Sequence, residues 1–384
     1  MKKLLIFILA IITITTMLPI KVRAAEPEIE AASAILMEAS TGQIIYEKNA
    51  DEKLSPASIT KIMTLLLIFD ELSFGNISLT EEVTISEHAA SMGGSQVFLE
   101  PGEVQTVETL IKCIAIASAN DACVAMAEHI KSSEAAFVEA MNLRAKELGM
   151  TNTNFVNCCG LDAEGHETTA RDVAIMSKEL ITKHPEIHNY STIWMDSFTH
   201  VTRKGEQEFT LSNTNKLLKQ YEWATGLKTG STSLAKFCLS ATAKKDGIEL
   251  ISVVMASPSG KTRVSDSITL LNYGYSLCKL YRDGEMPALK PVKIKNSTKG
   301  SVICMYEKVF THLFLENADW SLITKEIEYI HPLQAPIKKG DTLGQLIYKY
   351  DGKIIGTVDI VAGENAKKAT YGDYVEFLWE EIVG

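Results

Sequence analysis

Basic residues are in short supply: 38 Lys and Arg stand against 48 Asp and Glu, a formal net charge of −10. That is the wrong sign for holding a phosphate backbone, so nucleic acid is not an expected partner. Long apolar runs are missing after the first two dozen residues, so no later segment is expected to span a bilayer. Cys113, Cys123, Cys158, Cys159, Cys238, Cys278 and Cys304 are an odd set with neither the spacing of a disulfide framework nor a paired C-x-x-C zinc site. They read as buried small hydrophobes, and the vicinal Cys158 and Cys159 as packing residues rather than a strained redox bridge. Several catalytic signatures also fail. Ser259-Gly260-Lys261-Thr262 contains a G-K-T, but Met255 stands where a phosphate loop needs its first glycine. His184 and His188 enclose Pro185-Glu186-Ile187, without the glutamate that follows the first histidine of a metalloprotease. No G-x-S-x-G elbow occurs. Neither a metal nor a cofactor is implied.

What is present is a globular composition, with 46% apolar and 22% charged residues, over 384 residues that suggest two domains. Lys2 and Lys3 precede an apolar run from Leu4 to Ile20, then Val22-Arg23-Ala24-Ala25, the layout of a secretory signal peptide over residues 1–24. The alternative is an uncleaved N-terminal anchor. Cleavage removes Lys2, Lys3, Lys21 and Arg23 and no acid, leaving 34 basic against 48 acidic residues, a net −14.

From residue 28 to about 282 helix and strand signals mix. Ile35, Leu36, Ile44 and Ile45 flank the turn Ser40-Thr41-Gly42, a strand hairpin. Ile59, Ile62, Met63, Leu66 and Leu67 recur at helical spacing, as do Val107, Leu110, Ile114 and Ala117. Phe237 to Ala241 and Leu250 to Ala256 form a second hairpin around Lys244-Lys245-Asp246-Gly247. The pattern predicts an α+β domain, an antiparallel sheet flanked by helices. Pro287 and Pro291 bracket a linker, and residues 290–370 alternate in short runs, a small all-β domain.

One constellation carries coherent chemistry: Ser58-Ile59-Thr60-Lys61, then Ser118-Ala119-Asn120, then Lys228-Thr229-Gly230. A serine hydroxyl is a poor nucleophile at neutral pH, and a lysine one helical turn later shares its face and can take its proton. That lysine must be neutral to act, which burial or a second cation such as Lys228 can arrange. Pro56 suits a helix start, which would leave the Ser58 N–H free to help stabilise an oxyanion. S-x-x-K also occurs at Ser233 to Lys236 and Ser276 to Lys279, so discrimination rests on the ordered trio and its context.

With ASAILMEASTGQIIYEKNAD, SPASITKIMT, ASANDACVAMAEH, GMTNTNFVNCCGL, the following His166-Glu167-Thr168-Thr169-Ala170, and TGLKTGST, the chain resembles the low-molecular-mass penicillin-binding proteins, the serine-type D-alanyl-D-alanine carboxypeptidases. The resemblance implies a penicillin-binding-protein/β-lactamase-like domain with a five-stranded antiparallel sheet between helices, then a β-rich C-terminal domain. It implies Ser58 as acylated nucleophile, Lys61 as its base, Ser118 passing a proton to the departing D-alanine, Asn120 holding the peptide amide and Lys228 shaping the field. Thr229, Gly230, Ser231 and Thr232 would line the substrate wall, with Thr229 and Arg263 holding the terminal carboxylate. The N–H groups of Ser58 and Ser231 would form the oxyanion hole. Peptidoglycan stem peptides would be the substrate, and β-lactams would be covalent inhibitors, in an exported protein of the cell wall space.

Two departures from the family matter. Ala235-Lys236-Phe237 stands where Ala-Gly and a tyrosine are usual, and the tail is acidic where a basic amphipathic helix is usual. Tyr371, Tyr374, Val375, Leu378, Trp379 and Ile382 in the segment 371–384 keep helical spacing, while Asp373, Glu376, Glu380 and Glu381 would repel anionic lipid. Membrane contact through this tail and packing on the β domain both stay open. A β-lactamase is disfavoured by the lack of an E-x-x-L-N string between Asn120 and Lys228 and by Ala119 in place of aspartate. A DD-endopeptidase or transpeptidase, or a penicillin-binding sensor without turnover, would be compatible with the same fold.

Overall fold

Six consecutive buried residues, Ser33–Glu38 (β1), start a five-stranded antiparallel sheet in the computed structural model, which describes residues 26–202, 205–315, 318–375 and 379. The export signal expected over residues 1–24 lies outside the described residues. Ile44–Lys48 (β2) returns beside β1 after a turn at Gly42, whose φ of 76° suits glycine. The other strands are Ala224–Thr232 (β3), Lys236–Lys245 (β4) and Ile248–Ser257 (β5), and the order across the sheet is β2-β1-β5-β4-β3. β4 and β5 are joined through Asp246 and Gly247, both at positive φ, the requirement of a tight hairpin turn. Both hairpins legible in the sequence are therefore present, on one sheet.

The helical periodicity resolves into Lys61–Phe74 (α1), Val107–Lys112 (α2), Asn120–Lys131 (α3), Ala170–Lys183 (α4) and Gly260–Leu277 (α5). α1 ends at Gly75 in the left-handed conformation, and α4 begins on Thr169, whose hydroxyl caps Asp172 N–H. α4 meets the sheet through Ser177, whose hydroxyl lies 2.8 Å from that of Ser240 on β4. One departure from the expected spacing bears on the site. Val107, Leu110, Ile114 and Ala117 do not lie on a single α-helix, because Cys113–Ala117 winds as a π-turn after α2. π-turns cluster at functional positions, and this one ends at Ser118 with φ +63°. The hairpin Met195–Thr202 with Gly205–Ser212 has no clear signal in the sequence. Its apolar alternation at Phe198, Phe209 and Leu211 is diluted by charged and polar neighbours.

By compactness the chain divides into two units, one holding Tyr46–Ala243 and Leu250–Ser276, the other Leu277–Gly384 with Glu38–Ile45 and Lys244–Glu249. In the second unit a four-stranded sheet orders Cys304–Tyr306, Lys353–Ala362, Thr342–Tyr350 and Ile323–Tyr329, the all-β texture expected there. Its core is built on Val302, Leu343, Ile360 and Ala362, and on Tyr348 stacked 3.7 Å from Phe310. Buried Asp283 ties this core together, accepting from Lys325 Nζ at 2.7 Å, Tyr348 Oη at 2.7 Å and Glu285 N–H at 3.0 Å. Burial alone would favour the neutral acid, but these donors, Lys325 first, outweigh it and hold the carboxyl below its ordinary value. The stabilisation is thus present above the unfolded pKa near 3.8 and is lost as pH falls through the lower folded value. Asp283→Ala is expected to lower the stability of this unit by about 2–3 kcal/mol, because it leaves the Tyr348 hydroxyl without its acceptor and the Lys325 ammonium with only the Glu285 carbonyl. A urea melt at neutral pH checks it, and an unchanged midpoint would refute the role.

Candidate active site

Pro56, with φ −77°, leads into a 3-10 turn, Ala57–Thr60, and α1 follows from Lys61. Ser58 is therefore one turn ahead of Lys61, and Lys61 Nζ lies 3.1 Å from Ser58 Oγ. Lys61 is fully buried. Its Nζ also donates to Asn120 Oδ1 and to the Cys159 carbonyl, each at 2.6 Å. Asn120 Nδ2 donates to the Gly93 carbonyl at 2.7 Å, which fixes the amide with its oxygen toward the lysine. The chance S-x-x-K matches assemble nothing: Ser233, Lys236, Ser276 and Lys279 are all exposed.

The second motif owes its shape to the π-turn. Left-handed Ser118 ends it, and Asn120 opens α3, so two polar side chains two residues apart are both buried in the site. Lys228, on β3 and 1% exposed, donates to Ser118 Oγ at 2.8 Å and to the Thr229 carbonyl at 3.0 Å. Burial, then the charge of Lys61 and that of Arg263, push the Lys228 ammonium well below its ordinary value. Asp121, next to Asn120, is turned to the backbone: its carboxylate accepts from Val97, Leu99 and Ala122 N–H groups and so fixes the loop that supplies Gly93 and Ser95. The Ser95 carbonyl in turn accepts from Asn120 N–H at 2.7 Å.

β3 forms the opposite wall. Gly230 packs so closely that a Cβ there would lie 2.8 Å from the Pro56 carbonyl oxygen and 3.1 Å from Ala57 Cβ. Thr229 Oγ1 is 2.6 Å from Thr214 Oγ1. Ser231 is exposed, pairing with Phe237 across the β3–β4 hairpin, and Thr232 Oγ1 donates to Asp162 Oδ1 at 2.7 Å. Arg263, from α5, reaches this wall: Nη1 donates to the Gly230 carbonyl at 3.0 Å and to that of Cys238 at 3.4 Å. Its guanidinium lies 5.7 Å from the Phe237 ring centre, a cation–π contact in which the ring standing at the usual tyrosine position takes part.

The loop spanning residues 154–167 is the part that sequence reasoning leaves without roles. Asn157 Oδ1 gathers the N–H groups of Cys159, Gly160 and Leu161, and this turn presents the Cys159 carbonyl to Lys61. Asp162 links the loop to Thr232 and, at 3.2 Å, to Ser55 Oγ. Glu167 pairs with Lys53 at the surface. No residue type in N-C-C-G-L announces an acceptor for lysine, because the acceptor is a backbone carbonyl. All seven cysteines are free and buried, as expected of packing residues. Among the described residues no carboxylate is hydrogen-bonded to Ser58, Lys61 or Lys228, so the cleft is a nucleophile, its amine and two further cations.

A sequence profile of the D-alanyl-D-alanine carboxypeptidases matches residues 20–259, and that of the penicillin-binding protein 5 C-terminal domain matches residues 275–368. The chain is 42% identical over 366 residues to the D-alanyl-D-alanine carboxypeptidase DacF of Bacillus subtilis, covering 92% of each. Penicillin-binding protein 5 from Haemophilus influenzae is similar in structure at a TM-score of 0.71 and 30% identity, over 90% of this chain and 100% of that one. The Streptomyces K15 DD-transpeptidase aligns at a TM-score of 0.61 and 32% identity, over 66% of this chain and 100% of its own. An α+β domain built around a buried serine–lysine cleft, followed by an all-β unit, thus matches at both sequence and structure level, and the chain belongs to the D-alanyl-D-alanine carboxypeptidase family.

Proposed function

We propose that the protein removes the terminal D-alanine from peptidoglycan stem peptides through an acyl-enzyme on Ser58, and that β-lactams acylate the same serine. The observation that carries this reading is the set of three contacts at Lys61 Nζ. A neutral amine has two N–H groups and one lone pair. Asn120 Oδ1 and the Cys159 carbonyl can only accept, so they take the two N–H groups and leave the lone pair for the Ser58 hydroxyl. Serine then loses its proton as it attacks the carbonyl of the penultimate residue. The N–H groups of Ser58 and Ser231 receive the oxyanion. Ser118, bonded to Lys228, passes a proton to the nitrogen of the departing D-alanine, and water then completes hydrolysis of the ester. Asn120 holds the peptide amide, and Thr229, Gly230, Ser231 and Thr232 flank the strand-like substrate. Arg263, which commits Nη1 to two backbone carbonyls, offers the fixed cation for the terminal carboxylate.

The position of the nearby carboxylates favours a peptidase over a β-lactamase. Asp162 is spent on Ser55 and Thr232 and Glu167 on Lys53, so neither is set to activate a water at the acyl-enzyme. The K15 relative is named a transpeptidase, in which an amine would replace that water. We further read residues 1–24 as an export signal, residues 28–282 as the catalytic domain and 290–370 as the β-rich domain, with action in the cell wall space. Among the described residues no helix is long and apolar enough to cross a membrane. Peripheral contact is supported by Tyr371, Val375 and Trp379, which are exposed at the end of the described chain. The acidic residues between them favour zwitterionic over anionic lipid.

Ser58→Ala is expected to abolish both release of D-alanine from a D-Ala-D-Ala tripeptide and covalent labelling by penicillin; residual hydrolysis at the wild-type rate would sink the assignment. Arg263→Ala is expected to reduce kcat/KM about 10- to 100-fold on peptides with a free terminal carboxylate and much less on their amides. Equal losses on the two substrates would refute the carboxylate role. Residues 26–384 are expected to float with phosphatidylcholine vesicles and residues 26–370 are not, and equal flotation would remove the tail from membrane contact.

A further inference from the structure

Outside the catalytic trio, one buried histidine is bonded to the nucleophile's own turn. We infer that His166 is a positioning residue for acyl transfer, which as the neutral Nε2–H tautomer donates to Thr60 Oγ1 and thereby fixes the peptide plane that carries the Ser58 N–H. The inference rests on the carboxypeptidase reading above.

Two independent contacts demand the same tautomer. Val156 N–H donates to His166 Nδ1 at 2.9 Å, so Nδ1 is the bare nitrogen. At the other side of the ring Nε2 lies 2.8 Å from Thr60 Oγ1. That hydroxyl has a single proton, and it is given to the Ala57 carbonyl at 2.8 Å. Nε2 must therefore supply the proton between His166 and Thr60. The chain of donation runs His166 to Thr60 to the Ala57 carbonyl, and the peptide that ends in this carbonyl continues to the nitrogen of Ser58.

This peptide needs holding. Ala57 has φ +48°, a conformation that costs energy for a residue with a Cβ and persists only where the surroundings impose it. Gly160 imposes it from the loop: a Cβ there would stand 1.9 Å from the Ala57 carbonyl oxygen, so only glycine admits the approach. Gly230 closes in from β3 on Pro56 and Ala57. Thr60 supplies the hydrogen bond that these steric contacts lack, and His166 orients Thr60. A change of a few tenths of an ångström in this plane re-aims an oxyanion donor, for which geometry decides the rate.

The histidine is suited to a fixed role rather than to proton transfer. It is 4% exposed, with the Phe155 ring centre 6.0 Å away, and burial brings its pKa down to about 4 against the opposing pull of Asp162. A second proton at Nδ1 would face the Val156 N–H.

The test compares His166→Leu, His166→Gln and Thr60→Val in the chain 26–384. His166→Leu is expected to slow penicillin acylation and kcat for D-alanine release together, about 10- to 100-fold, with KM within about twofold. His166→Gln, whose carboxamide has both an N–H and an acceptor oxygen, is expected to recover most of the loss. Thr60→Val should reproduce the loss, and the double variant with His166→Leu should be no slower than either single one. Acylation of His166→Leu at the wild-type rate would overturn the proposal, as would a Gln variant as slow as Leu, or losses that multiply in the double variant. If the Leu variant does not fold, nitrogen-15 NMR of the native protein decides at about pH 6. A proton on Nε2 and none on Nδ1 upholds the proposal, and the other tautomer or the cation overturns it. A wild-type protein that is labelled by penicillin and releases no D-alanine would defeat the carboxypeptidase reading alone, leaving acylation rates and the tautomer to judge His166.

Discussion

A fully buried lysine is the constraint on which the cleft depends. Burying an amine or ammonium without partners costs several kcal/mol, and Lys61 avoids this only because three oxygens meet it. They come from three separate places: Ser58 one turn earlier, Asn120 at the start of α3 and the Cys159 carbonyl from the loop before α4. The lysine cannot be buried until all three segments are in place. Catalytic geometry and the packing of this unit are therefore one problem, and the residues that position the segments serve both. Asp121 fixes the loop behind Asn120, Asn157 shapes the turn before Gly160, and Gly230 admits β3 against the nucleophile's turn.

Two residues in a conformation unfavourable for a side chain stand where those segments meet. Ala57 and Ser118 each hold a positive φ although neither is glycine, and each is next to or part of a catalytic motif. The two arise differently. Ser118 is left-handed because a π-turn widens the chain after α2 and the backbone must then reverse into α3, while Ala57 is pressed by two glycine backbones and tied by Thr60. In both cases the local cost is borne by the surrounding contacts, which is how a site is held in a geometry that the chain alone would not adopt.

This division explains what can be read from the sequence. Ser58, Lys61, Ser118, Asn120 and Lys228 are legible because their chemistry resides in side chains and their order is itself a signal; the structure hydrogen-bonds Lys61 to Ser58 and Asn120, pairs Lys228 with Ser118, and brings the two lysines close enough for the charge of Lys61 to act on Lys228. Both core hairpins and the all-β texture after Pro291 are legible from period and turn residues. The rest of the site is not, since it works through the backbone: a carbonyl at Cys159, a peptide plane at Ala57, a close approach at Gly160. The helical spacing from Val107 to Ala117 does not distinguish an α-helix from one ending in a π-turn, because one extra residue per turn leaves the apolar pattern almost intact. The hairpin at residues 195–212 is hidden for the opposite reason, its alternation being interrupted by charge.

The electrostatics of the cleft run against those of the chain. The protein is acidic, yet inside the first unit the charges of Lys61 and Arg263 both act on Lys228, and the nearby carboxylates are bound elsewhere. A site so arranged has two consequences that pull together. The charges of Lys61 and Arg263 make it harder for Lys228 to hold its proton, and the set as a whole favours an anion, whether a substrate carboxylate or a developing oxyanion. In the role proposed for Arg263, a terminal carboxylate bound there would offset part of this repulsion, so the substrate that needs the cationic wall would also relieve it. A substrate lacking that carboxylate would leave the repulsion in place, and on that proposal discrimination would come from the charge balance of the empty cleft as much as from contacts to the bound peptide.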